Sequence, residues 1–138
     1  MSRSADHYSK TRRDHASETA EDYVEAIQDL LQARTRCRVT DLAVEMGVSH
    51  VTVTRILSRL VREGLVRKEP YGPVTLTPRG ARLARRARER HELVRQFLVS
   101  IGVPTPDADR DAEGMEHHLS PRTLACMEAF LAKNRADH

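Results

Sequence analysis

Acidic and imidazole side chains are concentrated in one short stretch near the C-terminal end of the sequence, DAEGMEHHLS, which covers residues 111–120. If this stretch is a helix, Glu113, Glu116 and His117 stand at positions i, i+3 and i+4 and share one flank, whereas His118 points away. Carboxylate oxygen and imidazole nitrogen bind divalent transition metals. The spacing therefore allows a metal site, although a glutamate and a histidine on one helix more often form a solvated surface pair.

Two other groups could extend such a site. His91 falls on the apolar face of a predicted long helix, where a single histidine is commonly a core residue with satisfied hydrogen bonds. Asp22 and Glu25 stand three residues apart on the first predicted helix. They point away from the apolar face of that helix, so a solvated acidic stripe explains them as well as a metal site does. Spacing alone selects neither group.

The sequence lacks the motifs of the common catalytic sites. HExxH is absent, and the HxxEH pattern fails because Glu113 stands where its first histidine would be. The ExxH spacing of di-iron carboxylate proteins does not occur in the cluster, and there is no glycine-rich phosphate loop or serine nucleophile motif. We therefore expect that the protein is not an enzyme, with a metal-dependent hydrolase or a metal store as the alternative class.

The N-terminal half predicts three helices and a small hairpin. An amphipathic helix comes first. The segment RVTDLAVEMGVSHVTVTRILSRLVREGLV then predicts two helices joined by a short turn at Gly47, with Thr40 and Ser49 as their N-caps. Two strand-like pieces, residues 65–68 and 74–76, flank a Pro-Tyr-Gly-Pro turn. Together these elements predict a winged helix-turn-helix.

Three further helices are predicted in the C-terminal half, each started by a threonine or serine directly before a proline. Thr77 precedes Pro78 at the start of a long helix that can run to residue 101. Two more such pairs, at residues 105–106 and 120–121, start shorter helices, the first of which runs through DAEGMEHHLS. Residues 1–16 are polar and cannot bury enough apolar surface to offset the entropy of ordering, so they are predicted to be a flexible tail.

The second helix of the predicted helix-turn-helix has two distinct faces. Val53, Ile56, Leu57 and Leu60 cluster on one side at about 100° per residue, with hydroxyl, basic and small apolar groups on the other. A recognition helix presents such outward residues to base edges in the major groove. The predicted base-reading residues are His50, Val51, Thr54 and Arg55, and the interface is completed by Ser49 and by Thr52, Arg67, Lys68 and Arg79 as phosphate contacts.

Charge and motif size limit the partners of this face. Seven arginines and two glutamates fall within residues 79–95, a concentration that suits either a polyanion or a solvated helix face. Small winged helices also serve as protein–protein modules, which is the alternative to DNA binding. One such motif buries too little surface for tight specific binding, so we expect a symmetric dimer on two half-sites about 34 Å apart.

The sequence also indicates a cellular compartment. No apolar run approaches the roughly 20 residues that cross a bilayer, and the N-terminus lacks the apolar centre of a secretory signal. Cys37 and Cys126 have no second cysteine or histidine at zinc-finger spacing. We therefore expect a cytoplasmic protein with reduced thiols and no membrane partner.

Several motifs, in order along the chain, resemble those of a known family. EDYVEAI, GLV, LTPRGARLA, RHELVRQFL, IGV and DAEGMEHHLS are similar to the manganese transport regulators of the diphtheria-toxin-repressor family, which are metal-dependent winged-helix repressors. The resemblance runs from residue 19 to residue 130 without large gaps. It implies a homodimeric repressor of metal-uptake genes that binds a double-stranded DNA operator.

The resemblance also implies the metal ligands, which come from three elements. They are Asp22, Glu25, His91, Glu113, Glu116 and His117. Their four carboxylates carry four negative charges, which two Mn²⁺ ions per subunit would balance, so a binuclear site is expected. Iron-responsive relatives carry a methionine and a cysteine where Asp22 and Glu113 stand. The sulfur-free set therefore favours manganese, with an iron-responsive or a metal-independent regulator as the alternatives.

The predicted fold class is mainly α: an N-terminal winged helix-turn-helix with a small two-stranded wing, joined by a long helix to a helical dimerisation and metal-binding lobe. Only 4% of the residues are aromatic and 31% are charged, a composition that suits a small helical protein. The predicted boundaries are a DNA-binding domain at residues 17–77 and a helical dimerisation and metal-binding domain at residues 78–138.

Overall fold

The computed structural model describes the backbone of residues 3–136, and the side chains of Arg12 and of residues 15–135. This part contains six α-helices and one two-stranded antiparallel sheet, which confirms the predicted mainly helical fold with a small wing. No described helix is both long and apolar enough to cross a bilayer. The elements are α1 (Arg3–Arg34), α2 (Val39–Met46), α3 (His50–Arg62), β1 (Val66–Lys68), β2 (Val74–Leu76), α4 (Pro78–Ser100), α5 (Thr105–Met115), a 3₁₀ turn (Glu116–His118) and α6 (Pro121–Ala136).

The chain divides into two compact units, with the boundary between Arg86 and Ala87 in α4. The core of the first unit is formed by apolar side chains of α1, α2, α3 and the hairpin. Of the α3 residues predicted to face inward, Val53, Leu57 and Leu60 are buried and Ile56 is half-buried against the same core. Each such burial stabilises the fold by about 1.5–3 kcal/mol. This helical repeat therefore fixes which face of α3 remains exposed.

Close backbone packing holds α3, the hairpin and the start of α4 in place. Gly47 has φ +67°, a left-handed conformation that ends α2 and that glycine adopts without strain. Gly80 lies very close to the backbone of Leu65, the residue before β1. A Cβ added at Gly80 would overlap the carbonyl oxygen of Leu65. The Thr77 hydroxyl donates to the Gly64 carbonyl over 2.6 Å and accepts from the Gly80 N–H over 3.0 Å. Thr77 is thus the N-cap of α4, as predicted.

Two predicted caps and one predicted segment differ from the structure. α2 begins at Val39 because the Asp41 carboxylate accepts the Arg38 N–H over 2.9 Å, so Arg38 and not Thr40 is the N-cap. α5 already includes Thr105, and Pro104 precedes it as the N-cap. The backbone from residue 3 to residue 16 is helical where we predicted a flexible tail, and no glycine or proline interrupts the sequence there.

The second unit is made of the later part of α4 with α5 and α6. Its small core contains Val94, Ala112 and Met127. Polar contacts tie the same helices together: Arg95 Nε lies 2.7 Å from Asp109 Oδ1, and Arg135 Nη2 donates to Gln96 Oε1 over 2.7 Å. Arg95 therefore belongs to the internal structure of this unit, although it stands in the basic run that suggested a polyanion.

Candidate metal centre and nucleic-acid interface

A buried carboxylate flanked by two imidazoles lies in the second unit. Glu116 is 3% exposed. Its Oε1 lies 3.4 Å from His117 Nε2, and its Oε2 lies 3.6 Å from His91 Nδ1. Burying an ionised carboxylate is costly unless a positive charge or hydrogen-bond donors compensate for the lost water. The structure thus brings together three of the six predicted ligands in a place that favours a cation.

The local backbone explains which of the two adjacent histidines takes part. The predicted continuous helix through DAEGMEHHLS is wrong, because α5 ends at Met115 and a 3₁₀ turn follows. In such a turn successive side chains are about 120° apart. The His117 side chain is 3% exposed and faces Glu116, whereas His118 is exposed. The structure therefore places His117, and not His118, beside the carboxylate.

Glu113 is not brought to this carboxylate. It lies on α5 before the turn, its side chain is exposed, and it makes no hydrogen bond or ion pair with the part of the chain that the structure describes. The shared flank that an unbroken helix would give to Glu113, Glu116 and His117 is therefore lost where the 3₁₀ turn begins.

Asp22 and Glu25 belong to the first unit, where both side chains on α1 are half-buried. Asp29, further along the same helix, is exposed, so burial differs along the predicted acidic stripe. Tyr23, between the two carboxylates, turns into the core, and burial raises the pKa of its hydroxyl. Its phenol therefore stays protonated at neutral pH, and the two carboxylates beside it are the groups here that could hold a cation.

The donor atoms present fit a divalent cation that prefers oxygen and nitrogen. Neither cysteine adds sulfur to the cluster. Cys37 is buried in the core of the first unit, where burial and then the neighbouring Asp41 carboxylate raise its pKa to about 11. Its thiol is therefore protonated at neutral pH, the form that does not act as a metal ligand. Cys126 is exposed on α6. Carboxylate and imidazole donors without thiolate suit Mn²⁺.

One cationic side chain already lies at the imidazole. Arg90 Nη2 is 3.5 Å from His117 Nδ1, the ring nitrogen on the other side from Glu116. In the sequence Arg90 is one member of the basic run at residues 79–95, and spacing alone does not distinguish it from the other arginines there. Its position directly before His91 in RHELVRQFL is the signal that could have found it.

The first unit presents the predicted DNA-reading residues on the exposed face of α3. His50, Val51, Thr54 and Arg55 are all exposed. Val51 is 79% exposed, so its side chain adds almost nothing to the core. A small apolar group at the start of an exposed helix is suited to contact with a thymine methyl group in the major groove. The arrangement fits base reading by these four residues.

Ser49 and Thr52, both predicted to belong to the DNA interface, lie at the N-terminal end of α3. Ser49 is the N-cap of α3, and its Oγ accepts the Thr52 N–H over 3.2 Å. The two hydroxyl oxygens lie 3.0 Å apart and are hydrogen-bonded. Both side chains are therefore held in one orientation at the end of the helix that would meet DNA.

The remaining predicted phosphate contacts differ in their surroundings. Arg67 on β1 is exposed, and Lys68 is half-buried with its Nζ 3.5 Å from the Glu69 carbonyl. Arg79 Nη1 donates to the Glu63 carbonyl over 2.8 Å, so this side chain satisfies the C-terminal end of α3. Sequence reasoning missed this structural role because it is set by the fold and not by neighbours in the chain.

An open groove of about 480 Å³ runs beside the wing. The start of α2 contributes Arg38 and Thr40 to its lining, and the hairpin contributes Lys68 and Tyr71. Tyr71, at the tip of the wing, is fully exposed and has φ +59°. Arg38 and Tyr71 were not selected from the sequence, since neither belongs to the recognition helix. The groove places two basic side chains, Arg38 and Lys68, beside the wing.

Comparisons with known proteins cover both units. Residues 15–74 match the family model described as iron dependent repressor, N-terminal DNA binding domain, and residues 77–138 match iron dependent repressor, metal binding and dimerisation domain. Transcriptional regulator MntR of Escherichia coli O6:H1 (strain CFT073) is 43% identical over 129 residues, which are 94% of this chain and 83% of the relative. The regulator of the same name from Salmonella typhimurium (strain LT2) is 45% identical over 125 residues, covering 91% and 78%.

A solved structure described as a manganese-dependent transcriptional repressor in complex with manganese is also similar. It matches with a TM-score of 0.73 and 33% sequence identity over 82% of this chain and 52% of that chain. This chain therefore spans about half the length of the solved structure.

Proposed function

Because the chain belongs to the iron-dependent repressor family and is similar to regulators named MntR, we propose that it represses metal-uptake genes in response to Mn²⁺. The matched domains make it a metal-binding, dimerising, DNA-binding regulator. It is not an enzyme, because its relatives are transcriptional regulators. The finer assignments proposed here are the identity of the metal, the number of ions and the residues that carry each role.

The observation that carries the proposal is the buried Glu116 carboxylate between two imidazoles. A bound divalent ion would place additional positive charge beside this buried carboxylate and so help to offset the cost of its burial. We propose two ions per subunit, because four carboxylates in the ligand set would balance two divalent charges. The proposed ligands are Asp22, Glu25, His91, Glu113, Glu116 and His117.

Manganese is favoured over iron by the chemistry of these residues. All the proposed donors are oxygen or nitrogen; of the two cysteines, Cys37 is held protonated in the core of the first unit and Cys126 is exposed on α6. Mn²⁺ binds weakly to most ligand sets, so selectivity would come from the number and geometry of oxygen donors. The family descriptions name iron, which makes an iron-responsive regulator the competing proposal.

The DNA-binding residues are proposed from their positions on the first unit. Arg79 keeps N–H donors beyond the one that contacts Glu63, because a guanidinium has five. We propose base contacts by His50, Val51, Thr54 and Arg55, and backbone contacts by Ser49, Thr52, Arg67, Lys68 and Arg79. In a homodimer these groups would be repeated once on each half-site.

Metal binding and operator binding are coupled by linkage. Ligand residues that hold an ion lose conformational freedom, and this favours one arrangement of the subunit over others. If metal raises operator affinity by some factor, operator must raise metal affinity by the same factor. The proposal therefore predicts that operator DNA raises the affinity for the metal. A regulator that does not respond to metal would show no such increase.

The test uses the metal-stripped full-length chain and a DNA site selected from a random library in the presence of Mn²⁺. Fluorescence anisotropy then gives the Kd for this site with and without Mn²⁺, and separately with Fe²⁺ and Zn²⁺. We expect Mn²⁺ to tighten binding by about 10-fold or more. Equal affinity with and without every metal would overturn the proposal, and a response to Fe²⁺ alone would replace it with the iron-responsive regulator. Elemental analysis of the loaded protein gives the number of ions per subunit.

A further inference from the structure

We propose that Arg90 competes with the metal for His117, so that its guanidinium must leave the imidazole before a metal ion can bind there. This inference rests on the proposed metal-binding function. It concerns Arg90, which is not one of the proposed ligands, and it gives this residue a role in determining the affinity for the metal.

The geometry of the two ring nitrogens carries the first step. His117 Nε2 lies 3.4 Å from Glu116 Oε1, and His117 Nδ1 lies 3.5 Å from Arg90 Nη2. A guanidinium has donors and no acceptor. This contact is a hydrogen bond when the ring nitrogen that faces the guanidinium offers a lone pair, and in that tautomer the proton of the neutral ring sits on Nε2, facing the carboxylate.

A metal ion needs a lone pair from the same ring. If it binds Nδ1, the guanidinium must move away, because one lone pair cannot serve both. If it binds Nε2, the ring proton must move to Nδ1, where it would face an Arg90 N–H. In either case the contact between Arg90 and His117 is incompatible with a metal-bound His117.

Charge makes the competition energetically significant. The Arg90 side chain is half-buried and contacts His117, which also faces the buried Glu116 carboxylate, and charges in such a place interact more strongly than in water. In the metal-free protein its positive charge offsets part of the negative charge of Glu116. Beside a bound divalent ion the same charge is repulsive. Removing it should therefore destabilise the metal-free protein and tighten metal binding.

The experiment compares Arg90→Gln with Arg85→Gln, a matched control that removes an exposed positive charge from the same helix. Mn²⁺ affinity is measured by competition with a fluorescent chelator in the absence of DNA, and Tm is measured on the metal-stripped proteins. We expect Arg90→Gln to bind Mn²⁺ about 10-fold more tightly, a change of the size that contacts to metal ligands produce. Its metal-free Tm should fall below that of the wild type, and Arg85→Gln should change neither quantity.

Two further measurements separate charge from folding. Arg90→Lys keeps the positive charge and should stay closer to the wild type in Mn²⁺ affinity than Arg90→Gln. The ¹⁵N shifts of the His117 ring in metal-stripped wild-type protein should show an unprotonated Nδ1, which needs no variant. Unchanged or weaker Mn²⁺ binding by Arg90→Gln, or a protonated Nδ1 in the neutral ring, would overturn this inference alone. A wild-type protein that binds neither Mn²⁺ nor Fe²⁺ would overturn the proposed function and this inference with it.

Discussion

The two units present their candidate groups in opposite ways. On α3 the proposed base-reading side chains are all exposed, as Val51 at 79% exposure illustrates. In the second unit Glu116 is buried, and it is in contact with His91 and His117. Groups exposed to water should act more nearly additively than groups that are in contact within one buried cluster. Substitutions in the first unit should therefore change DNA binding one contact at a time, and substitutions in the second should alter the whole metal site.

The largest effect is expected where backbone packing, and not a functional side chain, positions the DNA-reading unit. Gly80→Ala would place a Cβ on the Leu65 carbonyl oxygen, which cannot move without shifting the hairpin. We expect a loss of about 3 kcal/mol in the free energy of unfolding, at the upper end of overpacking substitutions. Urea denaturation measures it.

Gly114→Ala is the matched control in the second unit. Gly114 lies within α5, and an added Cβ there has no atom within 4 Å outside its own helix. Since alanine is the better helix former by about 1 kcal/mol, this variant should be as stable as the wild type or more stable. Equal destabilisation by both alanines would show that glycine is required at position 114 for a reason that the structure does not contain.

The second-largest effect is expected on Mn²⁺ affinity, when a member of the buried cluster is substituted. Glu116→Gln keeps the shape of the side chain and removes its charge from between the two imidazoles, so Mn²⁺ affinity should fall by about 100-fold. Glu113→Gln, on the exposed part of α5, should lower the affinity by about 10-fold. His118→Gln should leave it unchanged. Isothermal titration calorimetry on the metal-stripped proteins gives all three values, and full Mn²⁺ affinity in Glu116→Gln would contradict the assignment of this carboxylate.

How far the sequence predicts these features depends on whether local spacing or the fold decides them. The buried face of α3 follows from Val53, Leu57 and Leu60 at helical spacing, and the structure has all three inside. The 3₁₀ turn at Glu116–His118 was missed, because neither glycine nor proline stands at its first residue. A proline at 121 requires the helix to end before it, but does not say where.

Three arginines show more clearly the difference between features set by local spacing and features set by the fold. In the sequence Arg79, Arg90 and Arg95 are equivalent members of one basic run. In the structure they contact a carbonyl at the end of α3, an imidazole and an aspartate. Those partners stand 14 to 27 residues away in the chain. Tertiary contacts over such separations leave no periodic signal, so the roles of these arginines could not be predicted from spacing.

A smaller effect is expected from single side chains on the DNA-reading face. Arg55→Gln should weaken binding to the selected site by about 1–3 kcal/mol while leaving binding to unrelated DNA nearly unchanged. Arg62→Gln removes an equally exposed charge from the last turn of the same helix and should affect both DNAs little. Anisotropy titrations at two salt concentrations distinguish the cases. An equal loss on selected and unrelated DNA would assign Arg55 to the phosphate backbone instead.

The smallest effect is expected at a helix cap that occurs in the same form in both units. Ser49 Oγ accepts the Thr52 N–H over 3.2 Å at the start of α3, and Ser120 Oγ accepts the Thr123 N–H over 3.1 Å at the start of α6. Each serine-to-alanine substitution should therefore lower the free energy of unfolding by about 1 kcal/mol. If Ser49 also belongs to the DNA interface, Ser49→Ala alone should weaken operator binding at a temperature where both variants are fully folded. Equal operator affinity in the two variants would limit Ser49 to capping, and the DNA interface would then begin at His50.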